Sequence, residues 1–371
     1  MKGGTVVVEG RVGVGKTSFV NVEQYKIWKG IAKTPHFLPA FETVLLQEDM
    51  NPLTFMLSSL SNALYALMNI HGESSVKRNP VFRKILGTIS QTVQTSVGVQ
   101  ATVAGFGGGV TRSAALAQPA ALLMPMVLSH TDKFVSELHK LGYEGAIILV
   151  NNMDTLDEKF IVGFLSQIRD IALIRPGLIW VLIGREGLFS SLEKNMPRVS
   201  EIITGSPVVI KPPSKEDVRI AIERRTKVLR MRDDVKPIME DEIIDVLYDV
   251  SNGEIRYIFK RATDIILQRL IQFPTERYVS KGAGLAILRD LAMKKIASLD
   301  LTKRETEVLS LMAKTEHFRV RDHASFSVSS PQAANKYVQK FMRLGLIVRE
   351  ELKKETGYKT TGDVNILYKA Y

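Results

Sequence analysis

Thr5-Val6-Val7-Val8-Glu9-Gly10-Arg11-Val12-Gly13-Val14-Gly15-Lys16-Thr17-Ser18 is the stretch on which the reading of this chain turns. A β-branched run enters a glycine-rich loop, and a helical pattern follows to about Trp28. The spacing fits G-x-x-x-x-G-K-[ST], in which glycines let backbone N–H groups curl around phosphate oxygens. Lys16 neutralises the β- and γ-phosphates there, Thr17 gives a hydroxyl to Mg²⁺, and the helix N-terminus favours the anion. A glycine-rich turn that only caps a helix is the bland alternative. Strand, loop and helix in this order predict an α/β core with a parallel sheet, and make Gly10 to Ser18 the expected site for ATP with Mg²⁺.

A length of 371 residues suggests two or three domains of roughly 100–200 residues each. Hydrophobic residues at 45% and charged residues at 24% are globular usage. With no cysteine there is no disulfide, no cysteine nucleophile and no thiolate zinc site, so an intracellular home is expected. The six histidines make no H-E-x-x-H or similar ligand pattern, and no protein-bound metal is expected from them. A net charge of +11 favours polyanionic partners, with nucleic acid, nucleotide and acidic membrane all open. No signal-peptide core follows Met1. Residues 85–131 carry a single charge, Arg112, but glycines and prolines interrupt them too often for a membrane span. A cytoplasmic protein without a membrane partner is the expectation.

Gly145 to Asn151 reads as a fully buried strand, followed by Asn152, Met153 and Asp154. A phosphate loop usually pairs with an acidic strand that holds Mg²⁺ and polarises the attacking water. Here Asn151 and Asn152 stand where those acids are expected, so slow hydrolysis is predicted. Asp154 is either a compensating acid or an ordinary loop residue.

Further on, Leu178 to Ile183 is a second buried strand ending in Gly184-Arg185-Glu186, and Pro197-Arg198-Val199-Ser200 precedes a strand at Pro207 to Ile210. Pro212 to Asp217 starts a helix that runs to Leu229 with Arg224 and Arg225, and Ser251-Asn252-Gly253-Glu254-Ile255-Arg256 follows. This order resembles the AAA+ ATPases of the archaeal origin-recognition initiator type, over most of the chain except about 72–125. The resemblance implies that Arg256, in the helical lid, reaches the γ-phosphate. It places Arg198 near a subunit interface, although Glu201 departs from the usual arginine, and makes Arg185 a candidate polar sensor. The first strand begins so close to Met1 that the segment helping to hold the base in such ATPases is expected to be missing or supplied by another chain.

Thr95 to Thr111 alternates valines with small or polar residues and predicts a thin hairpin; Ala114 to Leu128 predicts a helix, and Asp132 to Leu141 another. Residues 85–131 are either a packed insertion or a surface for self-association or a protein partner. At the C-terminal end, Thr302 and Glu305 form a capping box before an amphipathic helix. Phe318 to Phe326 suggests a second helix and Pro331 to Leu344 a third. Leu346 to Glu351 and Val364 to Tyr368 read as strands around a tip bearing Lys353, Lys354 and Lys359. Three helices and a hairpin make the winged helix-turn-helix plan, which the initiator family shares.

The third helix carries Gln332, Asn335, Lys336, Gln339, Lys340 and Arg343, residue types that suit base edges and phosphates of double-stranded DNA, though a solvated face looks similar. Residues 301–371 hold thirteen Lys/Arg and eight Asp/Glu, net +5. The expected organisation is an ATPase core over 1–211 with an insertion at about 72–130, a helical lid over 212–298 and a winged helix over 299–371. Two functions compete: an initiator-type DNA-binding ATPase, and a signal-transduction, mobile-element or anti-phage ATPase whose winged helix is regulatory.

Overall fold

The computed structural model describes residues 3–31, 36–95, 120–154, 156–229, 238–275, 278–352 and 355–371. The chain divides into two compact units, one of Met1–Gly10 with Lys16–Val209 and one of Arg11–Gly15 with Ile210–Tyr371.

In the first unit the chain runs β1 (Gly4–Gly10), α1 (Lys16–Trp28), β2 (Phe37–Leu45), α2 (Pro52–His71), α3 (Glu73–Arg78), α4 (Pro80–Thr95), α5 (Ala120–Lys140), β3 (Gly145–Asn151), α6 (Glu158–Ile168), β4 (Leu178–Gly184), α7 (Leu188–Asn195), α8 (Pro197–Ser200) and β5 (Val208–Ile210). The sheet order is β2-β3-β4-β1-β5, with parallel pairing of β1 to β4, β4 to β3 and β3 to β2. This is the α/β core predicted from the first strand and loop. β3 reads Gly-Ala-Ile-Ile-Leu-Val-Asn and is buried up to Val150, as a strand covered on both faces must be. In β4, Trp180 is fully buried, stacks on Phe55 at 5.2 Å and donates its indole N–H to the Ala172 carbonyl at 2.9 Å. α2 is long and apolar enough by composition to cross a membrane, but Phe55, Met56, Leu60, Leu64 and Leu67 are buried in this core.

Two expectations change here. The helices read separately before and after residue 130 are one helix, α5, continuous through Pro125. The hairpin expected at Thr95 to Thr111 lies, beyond Thr95, outside the described residues.

The second unit adds α9 (Lys215–Leu229), α10 (Asp241–Ser251), α11 (Ile255–Gln272), α12 (Lys281–Ala297), α13 (Lys303–Ala313), a 3₁₀ turn over Val320–Phe326, α14 (Pro331–Arg343), β6 (Ile347–Leu352), β7 (Glu355–Thr360) and α15 (Gly362–Tyr368). The Thr302–Glu305 capping box is present, and Ser330 caps α14 ahead of Pro331. β6 and β7 pair antiparallel, and Phe318 bridges Tyr358 on the outer side of β7.

The strand expected at Val364 to Tyr368 is instead the helix α15, because Glu355–Thr360 already supplies the partner of β6. Its apolar alternation misleads because the helix is buried between two cores. Val364 packs with Val338, Phe341 and Leu346, whereas Ile366 packs with Leu247, Val250 and Ile258. A segment buried on several faces carries no clean period.

α15 also fixes a buried ionic hub. Asp363 Oδ1 accepts from Tyr257 at 2.9 Å and from Arg261 at 2.5 and 3.0 Å, and Oδ2 accepts from Lys295 at 2.7 Å. Burial by itself would raise the Asp363 pKa, but the Lys295 hydrogen bond and the Arg261 charge outweigh it and hold the carboxyl below its ordinary value.

Candidate phosphate-binding site

The loop after β1 stands at the carboxyl ends of the parallel strands, the edge where open α/β sheets bind ligands. Gly13 (φ 80°) and Gly15 (φ 97°) take left-handed conformations that residues with a Cβ resist. At Gly13 a Cβ would lie 2.4 Å from Glu254 Cγ, so this close approach also requires glycine.

Lys16 opens α1 and is 5% exposed. Its ammonium donates to the Gly10 carbonyl at 2.9 Å and meets Asp154 Oδ2 at 2.9 Å. The fold thus brings Gly10, Lys16 and Asp154 together. The second Asp154 oxygen, Oδ1, is buried without a hydrogen-bond partner among the described residues.

The two asparagines take different jobs. Asn151, at the end of β3, donates from Nδ2 to the Thr17 hydroxyl at 3.0 Å, while its Oδ1 accepts the Asn152 backbone N–H at 2.8 Å. That second bond fixes the amide orientation, since only the oxygen can accept. Asn152 (φ 74°) turns the chain, and its amide donates to the Leu46 carbonyl at 2.9 Å. Asn151 therefore touches the phosphate-loop helix, whereas this bond directs Asn152 to the end of β2.

Glu9, buried at the end of β1, accepts the Phe189 N–H at the start of α7 at 3.0 Å. Arg185 is paired with Glu158 at 2.8 Å, and Glu158 also accepts from Asn195 at 3.1 Å. Arg198 is exposed.

In the second unit, Asn252 (φ 54°) and Gly253 (φ 76°) end α10 and hand the chain to α11. The Arg256 side chain is exposed, and its backbone N–H faces the Gly13 carbonyl at 3.4 Å. Glu254, beside it, has its carboxyl pKa raised by burial. Arg11 sends its guanidinium to Glu350 of β6. Glu350 also meets His317 Nδ1 at 2.7 Å and Lys359 at 3.5 Å. This cluster escapes sequence reading because Arg11 lies hundreds of residues before His317, Glu350 and Lys359, and no motif joins the four.

On α14, Gln332, Asn335, Lys336, Gln339 and Arg343 are exposed on one face, while Ala334, Val338 and Phe341 are buried. Two expected DNA contacts need correction. Lys340 is half-buried and paired with Glu305 at 2.6 Å. Lys359 is not at a tip: it lies within β7, is 8% exposed and faces Glu350, because residues 348 and 359 are paired across the hairpin. Burial lowers its pKa. Lys353 and Lys354 lie outside the described residues.

No family model and no curated protein matches this chain. Solved structures do align with it. The ORC2 protein of Aeropyrum pernix, in ADPNP–ADP complexes, aligns over 98% of this chain and 87% of its own at 13% identity, with a TM-score of 0.47. The ORC1 protein of Aeropyrum pernix in complex with DNA aligns over 98% and 86% at 12% identity, TM-score 0.44. Cdc6p from Pyrobaculum aerophilum aligns over 99% and 86% at 11% identity, TM-score 0.39.

Proposed function

We propose that this protein is an ATP-binding, DNA-binding AAA+ ATPase of initiator type, in which the nucleotide state controls a DNA-bound assembly and hydrolysis is slow. The observation that carries the reading is Lys16, which opens α1 directly behind the left-handed Gly13 and Gly15 and is oriented by the Gly10 carbonyl and Asp154. The amide nest binds the phosphate oxygens and Lys16 supplies positive charge.

Mg²⁺ fits this site on one observation, the buried Asp154 Oδ1 that lacks a partner among the described residues. Thr17 and Asp154 would hold the ion, which supplies neutralisation of phosphate charge. Asn151 and Asn152 provide no carboxylate to orient water, and this supports slow turnover. Residues 212–298 serve as the lid, with exposed Arg256 sensing the γ-phosphate. Residues 299–371 serve as the winged helix, presenting Gln332, Asn335, Lys336, Gln339 and Arg343 to a duplex. Self-association is assigned to residues 85–131, and the cytoplasm to the protein.

Labelled ATP tests the reading: Lys16→Ala abolishes binding, and an unchanged affinity rejects the site. An ordinary steady-state rate of phosphate release, lost in Lys16→Ala, rejects slow hydrolysis. The second reading, a signalling or defence ATPase with a regulatory winged helix, is favoured by the pairing of Lys340 and Lys359 with acids of their own unit. Unchanged duplex affinity in a Lys336→Glu, Arg343→Glu double variant selects it.

A further inference from the structure

We propose that Glu350 of β6 competes with nucleotide phosphate for the Arg11 guanidinium, so that an anionic ligand entering the phosphate loop releases that loop from the β6–β7 hairpin. This rests on the ATP-binding reading and adds a regulatory contact to it.

The middle of the loop belongs with the second unit: Arg11–Gly15 group with Ile210–Tyr371, whereas Gly10 and Lys16 on either side group with the first. Arg11 makes the attachment to the hairpin, its guanidinium meeting Glu350. It follows Gly10 directly and so stands beside the backbone amides that cradle phosphate in a loop of this spacing. A guanidinium binds carboxylate and phosphate through the same fork of N–H donors, so the two anions are rivals for it. While Glu350 holds Arg11, the positive charge it brings to the loop is neutralised.

The pair can exchange partners at low cost. Glu350 is buried, but the departure of Arg11 leaves it with His317 Nδ1 at 2.7 Å and Lys359 at 3.5 Å. The Arg11 side chain is 37% exposed, against 9% for Arg261 in its pair with Asp363, so Arg11 stays hydrated on release where Arg261 would be stranded. Burial lowers the Lys359 pKa and the Arg11 charge lowers it further, a like-charge repulsion that release of Arg11 relieves. The hairpin follows α14 in the chain and packs against it, so freeing β6 reaches the helix that carries the exposed Gln332-to-Arg343 row.

The test is titration of a fluorescent, non-hydrolysable ATP analogue against the parent, Glu350→Gln, Arg11→Ala and the Arg11→Ala, Glu350→Gln double variant, with amide hydrogen exchange read across β6 and β7. Glu350→Gln is expected to bind the analogue about fivefold or more tightly than the parent, and to change nothing in the Arg11→Ala background. By reciprocity, saturating analogue should speed exchange in the hairpin of the parent by about fivefold or more, and Arg11→Ala should show that faster exchange without ligand. Equal affinity of the parent and Glu350→Gln overturns the proposal, as does the same gain in the Arg11→Ala background or a hairpin whose exchange ignores the ligand. If circular dichroism shows Glu350→Gln unfolded, Glu350→Gln with Lys359→Met, which leaves no buried ammonium behind, carries the comparison on the same criteria. Lys16→Ala separates the two levels: parental affinity in that variant makes the nucleotide site itself wrong, whereas Lys16-dependent binding that is indifferent to Glu350 removes the proposed competition and leaves the site standing.

Discussion

Asp363→Asn should be the most damaging single isosteric change in the second unit. The substitution keeps the shape but removes the charge that Arg261, Lys295 and the Tyr257 hydroxyl all address. Arg261 is 7% exposed, so it stays behind as a buried cation with its main counter-ion gone and, among the described residues, Asp264 at 3.1 Å as the acid still paired with it. Breaking a buried pair from one side costs about 3–5 kcal/mol, a large share of the roughly 5–15 kcal/mol that holds a domain folded. For a unit of this size that lowers Tm by about 6–20 °C. Urea denaturation followed by circular dichroism, with thermal melts alongside, measures it. The sign with pH is fixed as well. The Asp363 pKa is held below its unfolded value, so its contribution is complete above the unfolded pKa and disappears as pH falls through the folded one. The parent should thus lose stability toward low pH more steeply than Asp363→Asn, and the two curves should converge. A variant within about 1 kcal/mol of the parent at neutral pH, with a parallel acid limb, refutes the assignment.

In DNA titrations across salt, Lys336→Ala and Arg343→Ala should each reduce the log-log slope by about 0.9, whereas Lys340→Ala, whose ammonium is held by Glu305, should leave it nearly unchanged. Gly13→Ala should weaken ATP binding more than Gly15→Ala: both are strained by about 1–2 kcal/mol, but only at Gly13 does the new Cβ meet Glu254. Similar affinities for the two variants, read with labelled ATP, would count against the described loop geometry. Thr302→Ala should cost about 1 kcal/mol in urea unfolding by removing the cap of α13.

The sequence alone determined features that rest on local chemistry. Glycine spacing, Lys16 and a β-branched run specify strand, loop and helix within a few residues, because φ > 0 and a phosphate-sized nest need those residue types. The α13 capping box and the buried runs of β3 and β4 are equally local. Tertiary structure alone decided which polar groups meet. It sorted Asn151 to Thr17 and Asn152 to Leu46, although the two are adjacent in the chain. It turned Lys359 inward onto Glu350 and made Val364 to Tyr368 a helix between two cores. It also gathered Tyr257, Arg261 and Lys295 around Asp363. The physical reason is common to these cases. Periodicity reports which face of an element is apolar, but a buried charge is satisfied by whichever partner the fold brings within hydrogen-bond reach, at sequence separations that carry no pattern.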